Sequence, residues 1–276
     1  MSRQQPVVML EDVLTDLSGL TDVRPLVNAV NRADVDAGVL TDEEVHWIGP
    51  NPDGAPRKFI DAPRLAQLSA REQQVAMETA LWIMQARGEV FYDADADALR
   101  FEGLHALLGD LRENPEAAVS VRVDVRDEGV QRAAIYRIRP DLFLCEDVSE
   151  VGLHHFTFRS AARQAAWLAA AADPNGHASH TGSPQSAADV NGLDPHPDRL
   201  AATCQTAALV LCGSRSLHGR TPQRTFTAYS GPDGVHVLTG WKTATDGQVV
   251  MQQLSRQDLI DFCAAFLSPD TDVPAP

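Results

Sequence analysis

Alternating aspartates at Asp93, Asp95 and Asp97 have the spacing with which a calcium-binding loop begins. Such a loop needs glycine at its sixth position and glutamate at its twelfth, and this chain has Ala98 and Leu104 there. Without those two residues, the aspartates lack the sharp turn and the bidentate ligand that complete the site. We therefore predict a solvated hairpin turn and no calcium site.

Histidines, the commonest ligands of zinc, lie close together in two places. His177 and His180 have His196 nearby, but no cysteine or acidic residue has the spacing that would complete a zinc site. His154 and His155 are adjacent in a strand-like run, so their side chains face opposite sides of the strand. We predict that one of this pair is interior and hydrogen-bonded and that the other is exposed. The sequence predicts no metal site.

Nucleophilic side chains also occur without the patterns that activate them. Gly213-Ser-Arg-Ser216 with His218 has the residue types of a serine hydrolase, but the G-x-S-x-G elbow is absent. Four cysteines form no CxxC pair and have apolar neighbours, as buried free thiols do: Cys145, Cys204, Cys212 and Cys263. Cys204 and Cys212 are predicted to share one helix face, and no glycine-rich phosphate loop occurs. We predict no catalytic residue and no cofactor.

The charge balance limits the partners of this chain. Its 276 residues carry a formal net charge of −15, with a pI of about 4.9, which repels nucleic acid and anionic membranes. A helix–hairpin–helix pattern over 63–113 resembles a winged-helix DNA reader, but its hairpin tip is acidic. We expect no membrane span, because no run of about 18 apolar residues occurs. With no apolar signal core at the N-terminus, we expect a cytoplasmic protein.

One sequence pattern occurs twice. Residues 152–174 and 247–269 both read Gly, seven residues, Ser, thirteen residues, Pro. Ser160 and Ser255 stand where a helix N-cap is expected, and each proline follows a helical run that it cannot continue. A repeated strand-then-helix unit predicts two similar halves related by a pseudo-two-fold.

Apolar spacing predicts the remaining elements. In the first part of the chain we predict helices at 7–17, 22–31, 63–87 (ending at Gly88) and 102–113, strands at 90–92, 99–101, 119–125, 133–138, 142–146 and 154–158, and a helix at 160–172. In the second part we predict a helix at 200–212, strands at 224–230, 235–241 and 248–254, and a helix at 256–267.

These elements predict an α+β fold of two quasi-symmetric halves, with an antiparallel sheet and flanking helices. The first half covers residues 1–172 and the second covers 199–270, and we expect them to form one compact domain. Residues 173–198 are rich in Pro, Gly, Ser, Asn and His and have no aromatic residue. Such a composition cannot bury enough apolar surface to fold, so we predict a flexible linker or loop there.

Three stretches of the chain resemble the EspG family, cytosolic chaperones of type VII secretion in actinobacteria. The first is Gln85-Ala-Arg-Gly-Glu-Val90, with an acidic turn, then a helix ending at Pro115 and the strand that starts at Val119. The second is the turn Tyr229-Ser-Gly-Pro-Asp-Gly234, and the third runs from Thr245 into the final helix. The resemblance covers roughly residues 60–270 without the linker. It implies two quasi-symmetric halves around a sheet and no catalytic residues.

The resemblance implies a non-enzymatic cytosolic adaptor that binds a helical secretion substrate and shields its apolar tip until export. Exposed apolar strand residues would suit such binding, and we predict Phe226, Leu238 and Trp241 as partner-binding residues. Two alternatives stay open. One is an immunity or antitoxin-like protein whose acidic surface masks a basic toxin. The other is an enzyme with a dispersed site, which a His–Ser or His–Cys pair in a pocket would favour.

Overall fold

The computed structural model describes residues 7–14, 22–48, 62–178, 186–189, 193–214, 224–241 and 248–268, and side chains at all of these except 186–189, 212–214, 240, 241 and 248. In chain order the helices are α1 Arg24–Val30, α2 Asp42–Trp47, α3 Ala70–Arg87, α4 Gly103–Glu113, α5 Ala161–Ala172, α6 Pro197–Thr203 and α7 Arg256–Leu267. The strands are β1 Val7–Met9, β2 Asp34–Thr41, β3 Val90–Asp93, β4 Ala98–Phe101, β5 Ala117–Val125, β6 Gly129–Arg139, β7 Leu142–Val148, β8 Leu153–Arg159, β9 Ser186–Asp189, β10 Thr206–Ser214, β11 Arg224–Gly231, β12 Gly234–Trp241 and β13 Gln248–Leu254.

This is an α+β protein, as predicted, and its chain divides into two compact units. Unit 1 comprises Met1–Pro115 and Tyr136–Ser160, and unit 2 comprises Glu116–Ile135 and Ala161–Pro276. The units therefore differ from the predicted halves at 1–172 and 199–270. The reasons are that β5 pairs with β10 along its whole length and that α5 packs against α7, so both elements belong with the C-terminal part of the chain.

In unit 1 the strands run in the order β1-β2-β8-β7, with β1 parallel to β2 and the other pairs antiparallel. The helix predicted at 7–17 is wrong for its first residues, because Val7–Met9 pairs with β2 as an edge strand. Strand β2 itself was not predicted. A bulge between Asp36 and Gly38 interrupts the alternation of apolar and polar residues that would have identified it.

Helix α3 and the β3–β4 hairpin after it also belong to unit 1. The predicted end of the helix is confirmed, since Gly88 adopts the left-handed conformation (φ 74°) that caps it. The predicted start is six or seven residues too early. Residues Leu65–Gln67 form a separate 3-10 turn, and a reciprocal capping box between Ser69 and Glu72 begins α3.

In unit 2 the strands run in the order β5-β10-β11-β12-β13-β9, and all neighbours are antiparallel. The helix predicted at 200–212 is half wrong, because only Pro197–Thr203 is helical and strand β10 follows. Along β10, Thr206, Ala208 and Val210 are buried while the residues between them are not, which is the two-residue period of a strand. Cys204 and Cys212 therefore do not share a helix face.

The predicted linker at 173–198 contains regular structure. Ser186–Asp189 form β9, which pairs with β13, and Leu193 is buried in a small apolar cluster. Asp173 accepts hydrogen bonds from the backbone of His177 and Ala178, which fixes the start of the segment. Backbone pairing and local polar contacts thus order parts of a segment whose composition predicts none.

The strand-then-helix character of both repeats is confirmed by β8–α5 and β13–α7. Ser255 caps α7 as predicted, accepting from the Asp258 amide at 3.2 Å. Phe226 of β11 makes edge-to-face contacts with Phe262 and Phe266 of α7, so this helix covers the core face of the unit 2 sheet.

Candidate functional site

Helix α3 exposes a stripe of apolar side chains. Trp82 is 66% exposed, Val75 is 56% exposed and Ile83 is 43% exposed. Together with exposed Thr79 and Ala86, these residues recur every three or four positions, so they lie along one face of the helix. We call these five residues the outer stripe. It is the kind of exposed apolar surface that marks an interaction site.

The opposite face of α3 holds the helix in unit 1. Ala80 and Met84 are buried there, and α2 packs against the helix. The indole nitrogen of Trp47, at the end of α2, donates to the Met77 carbonyl at 2.9 Å. The helix is therefore apolar on two opposite faces, and among the described residues of unit 1 the contacts lie on the face of Ala80 and Met84.

The β3–β4 hairpin contributes further exposed aromatic surface directly after α3. Phe91 is 42% exposed and Tyr92 is 57% exposed. The Tyr92 hydroxyl donates to the Asp97 carboxylate, and Asp93 forms an ion pair with Arg100 at 2.7 Å. Asp93 also accepts from the backbone of the turn, so the aspartates act as turn residues, as in the predicted solvated hairpin.

A chain of buried charges adjoins α2. One end of this chain is Asp42, the first residue of α2. This carboxylate accepts hydrogen bonds from the backbone amides of Arg64 and Leu65 at 2.8 and 3.1 Å and from His154 at 2.7 Å. It thereby ties the first residue of α2 to the turn that leads into α3. Gly152 leaves room for it, because a Cβ there would lie 2.8 Å from an Asp42 carboxylate oxygen.

The imidazole of His154 is buried between two carboxylates. Nε2 lies 2.7 Å from Asp42 and Nδ1 lies 2.7 Å from Glu146. Burial alone would lower the pKa of His154, but the hydrogen bonds to Asp42 and Glu146 outweigh burial and raise it. His155 points the other way and is exposed, so the prediction of one interior and one exposed histidine is confirmed.

Glu146 continues the chain of buried charges. It accepts from Arg112 Nε at 3.0 Å and from the Tyr136 hydroxyl at 2.7 Å. Burial would raise its pKa, but the Arg112 charge and the His154 hydrogen bond lower it to about 2. Arg112 also donates to the Ile48 carbonyl at 3.1 Å, which anchors the end of α2. These side chains are enclosed and hydrogen-bonded to one another, and they hold both ends of α2.

Unit 2 has a small pocket of about 110 Å³ that Cys204, Tyr229, Asp233 and His236 help to line. This is a His–Cys pair in one pocket, the feature that favours an enzyme. However, burial raises the pKa of the Cys204 thiol and lowers the pKa of His236, so both groups are neutral. The thiol donates to the Ala201 carbonyl at 3.5 Å. The raised pKa disfavours the thiolate, and this hydrogen bond directs the thiol proton to a backbone carbonyl and not to the imidazole.

No protein-family model matches this chain. Comparison with curated proteins also gives no relative.

Two of the predicted partner-binding residues, Phe226 and Leu238, lie on opposite faces of the unit 2 sheet. Phe226 is buried against α7, so its prediction as an exposed contact is wrong. Leu238 pairs with Thr227, which follows Phe226 in strand β11. Because adjacent residues of a strand point to opposite sides, Leu238 lies on the sheet face opposite to Phe226. It is half-buried against the cluster that contains Met251. The side chain of Trp241 lies outside the described residues.

Other candidate residues are placed as follows. His177 contacts the Gln205 side chain and His196 caps α6, while His180, Ser216 and His218 lie outside the described residues. Within the described part of the chain, no group of three or more His, Cys, Asp or Glu residues could hold a metal ion. In the same residues, no helix is long and apolar enough to cross a membrane.

Proposed function

We propose that this protein is a non-enzymatic cytoplasmic adaptor that binds a helical protein partner through the outer stripe of α3. The observation that carries the proposal is the exposure of Trp82, with Val75 and Ile83 beside it, on a helix that is already packed by its opposite face. Tryptophan is enriched among the residues that dominate binding energy at interfaces.

The spacing of the stripe favours a helix as the partner. Val75, Thr79, Trp82 and Ala86 are separated by four, three and four residues, which is the spacing of the core positions of a coiled coil. Side chains at this spacing insert between the side chains of a second helix. The capping box at Ser69 and the attachment to α2 keep α3 formed and positioned before a partner arrives, which lowers the entropic cost of binding.

The resemblance to the EspG family gives the proposed partner its class, a helical substrate of a type VII secretion system that is shielded until export. The net charge of −15 is also compatible with an immunity protein that masks a basic toxin. The two proposals differ in the partner that they require, so the partner itself distinguishes between them.

Co-purification from the native host tests the proposal. The full chain should retain a small helical protein, and Trp82→Glu should lose it while remaining folded. Val151→Glu is the matched control, because Val151 is an equally exposed apolar residue of unit 1 that lies outside the stripe. Equal retention by both variants would refute docking through α3. Retention of a basic toxin would favour the immunity role, and turnover of a small substrate by the pure protein would refute the adaptor proposal.

A further inference from the structure

Both ring nitrogens of His154 face a carboxylate in the interior of unit 1. Nε2 lies 2.7 Å from an oxygen of Asp42, and Nδ1 lies 2.7 Å from an oxygen of Glu146. An ionised carboxylate only accepts hydrogen bonds, so each of these contacts needs a proton on the ring nitrogen. A neutral imidazole has one such proton and an imidazolium has two. Two ionised carboxylates at these distances therefore require a charged ring.

Both carboxylates have contacts that keep them ionised. Each accepts two further hydrogen bonds through the oxygen that does not face the ring. The donors are the amides of Arg64 and Leu65 to Asp42, and the side chains of Arg112 and Tyr136 to Glu146. Such bonds favour the ionised form, so the proton stays on the ring. Burial would lower the pKa of His154, but the hydrogen bonds to Asp42 and Glu146 raise it, in agreement with a charged ring.

The buried charges balance only while the ring is protonated. His154 and Arg112 carry two positive charges against the two negative charges of Asp42 and Glu146. The other side chains around these four add no net charge: Leu40 and Val148 pair with His154 in the sheet, Tyr136 donates as a neutral phenol, Glu43 pairs with Arg64 at 3.6 Å, Glu44 pairs with Arg87 at 3.4 Å, and His46 lies against Trp47.

Loss of the ring proton disrupts this arrangement at Asp42. A neutral ring can donate to only one of the two carboxylates, and the buried group is then left with one uncompensated negative charge. Glu146 keeps Arg112 beside it, whereas Asp42 keeps only backbone amides. Because Asp42 begins α2 and binds the turn that leads into α3, its loss of a charged partner weakens the attachment of both helices.

We infer that the protonation of His154 regulates partner binding, since the charged ring holds α2 and α3 in place and the neutral ring releases them at alkaline pH. Helix α3 packs against α2, and Trp47 of α2 donates to the Met77 carbonyl. Once released, α3 no longer presents the outer stripe in one orientation, so binding costs more entropy. The regulation of binding rests on the proposed adaptor function, whereas the release of α3 does not.

Two measurements on the full chain test the release without a partner. Nitrogen-15 NMR of the histidine rings should show His154 protonated on both nitrogens at about pH 6.5 and on one nitrogen at higher pH. Hydroxyl-radical footprinting over the same range follows Met84, which is fully buried on the inner face of α3. Its labelling should rise at least tenfold as the ring loses its proton. Met251, which is buried in unit 2, should stay protected throughout.

Two variants assign the effect to the buried ring. His154→Gln should remove the pH dependence of Met84 labelling, and His155→Gln, the exposed control, should leave it unchanged. A ring that is neutral at about pH 6.5, or one that keeps both protons up to about pH 10, would overturn the inference. Continued protection of Met84 after the ring has lost a proton would also overturn it. These outcomes are read on the unmodified chain, so they decide even if His154→Gln does not fold.

Co-purification at two pH values tests the regulation of binding. The helical protein that the chain retains at about pH 6.5 should be lost at the pH where NMR shows a neutral His154 ring. Equal retention at both pH values would overturn the regulation and leave the adaptor proposal standing. Retention at neither pH would refute the adaptor proposal and the regulation together, while the release of α3 is still decided by NMR and footprinting.

Discussion

Helices α3 and α7 have similar N-terminal caps but different outward faces. Both begin with a serine capping box, at Ser69 and Ser255, and both bury one apolar face. On α7 the outward positions carry polar or small residues such as Asp261 and Ala264. On α3 the outward positions include Trp82. A helix that needs only to cover a core has no use for a second apolar face, and the proposed binding role of α3 rests on this difference.

Both helices pack by an apolar face, but the elements that they pack against are held in place by different forces. Unit 2 holds α7 through aromatic packing, with Phe226 in edge-to-face contact with Phe262 and Phe266. Unit 1 holds α2, against which α3 packs, through a buried chain of charges centred on His154 and Glu146. Apolar packing is insensitive to pH, whereas a buried chain of charges depends on the protonation of each member.

The largest expected effect is a difference in stability between two variants, each of which truncates one aromatic side chain on one of the two helices. Phe266→Ala should lower the free energy of unfolding by about 3 to 5 kcal/mol, because it leaves a cavity beside Phe226. Trp82→Ala should change it by less than about 0.5 kcal/mol, because the indole is largely exposed. Urea unfolding of both variants measures the difference. A large loss of stability in Trp82→Ala would mean that the indole belongs to the core.

The second expected effect is a pH dependence of the attachment of α3. The pKa of His154 is raised, so its stabilisation is complete below about pH 6.5 and is lost as the pH rises through the raised value. The pKa values of Asp42 and Glu146 are lowered, so their contribution is present above about pH 4.5 and is lost as the pH falls toward about 2. The free energy of unfolding should therefore be highest and nearly constant between about pH 4.5 and about pH 6.5.

Hydrogen exchange across this pH range measures the effect. Amides in α3 should lose protection at alkaline pH, after correction for intrinsic exchange rates, earlier than amides in α7. The exposed residue next to His154 supplies the matched control. His155→Gln should leave the pH dependence of α3 protection unchanged, whereas His154→Gln should remove the loss of protection at alkaline pH. Identical profiles for α3 and α7 would show that the buried charges do not secure α3.

The smallest expected effect concerns the two helix caps. Ser69→Ala and Ser255→Ala should each cost about 1 kcal/mol of stability, because each removes the acceptor for an otherwise unpaired amide of the first turn. Replacement by Thr should recover most of the loss. The buried Ser255 should show the greater cost. A greater cost at Ser69 would mean that α3 depends on its cap more than on its attachment to α2.

The elements predicted most accurately combine regular spacing of apolar residues with a capping residue at one end. Helix α7 was predicted at 256–267 and is observed there, because Ser255 and the apolar spacing agree. Strand β10 was missed because Ala, Leu, Val and Cys in succession suit a buried helix and a strand equally. In β2 the bulge at Gly38 shifts the alternation by one residue, which conceals the strand.

The candidate site was harder to predict because both of its parts depend on tertiary structure. Val75 and Trp82 both fall in the helix predicted at 63–87, but the sequence does not show that both side chains are exposed in the folded protein. For the buried charges, the strand period correctly made one histidine of the pair interior. It could not identify Asp42 as the partner of His154, because the two are 112 positions apart in sequence.

Radical footprinting of Trp82, with and without the partner that co-purifies with the chain, tests the central claim most directly. We predict that Trp82 is labelled readily in the free chain and is at least tenfold less labelled in the complex. Leu211, an exposed residue of unit 2, should be labelled equally in both states. Undiminished labelling of Trp82 in a saturated complex would contradict docking through α3.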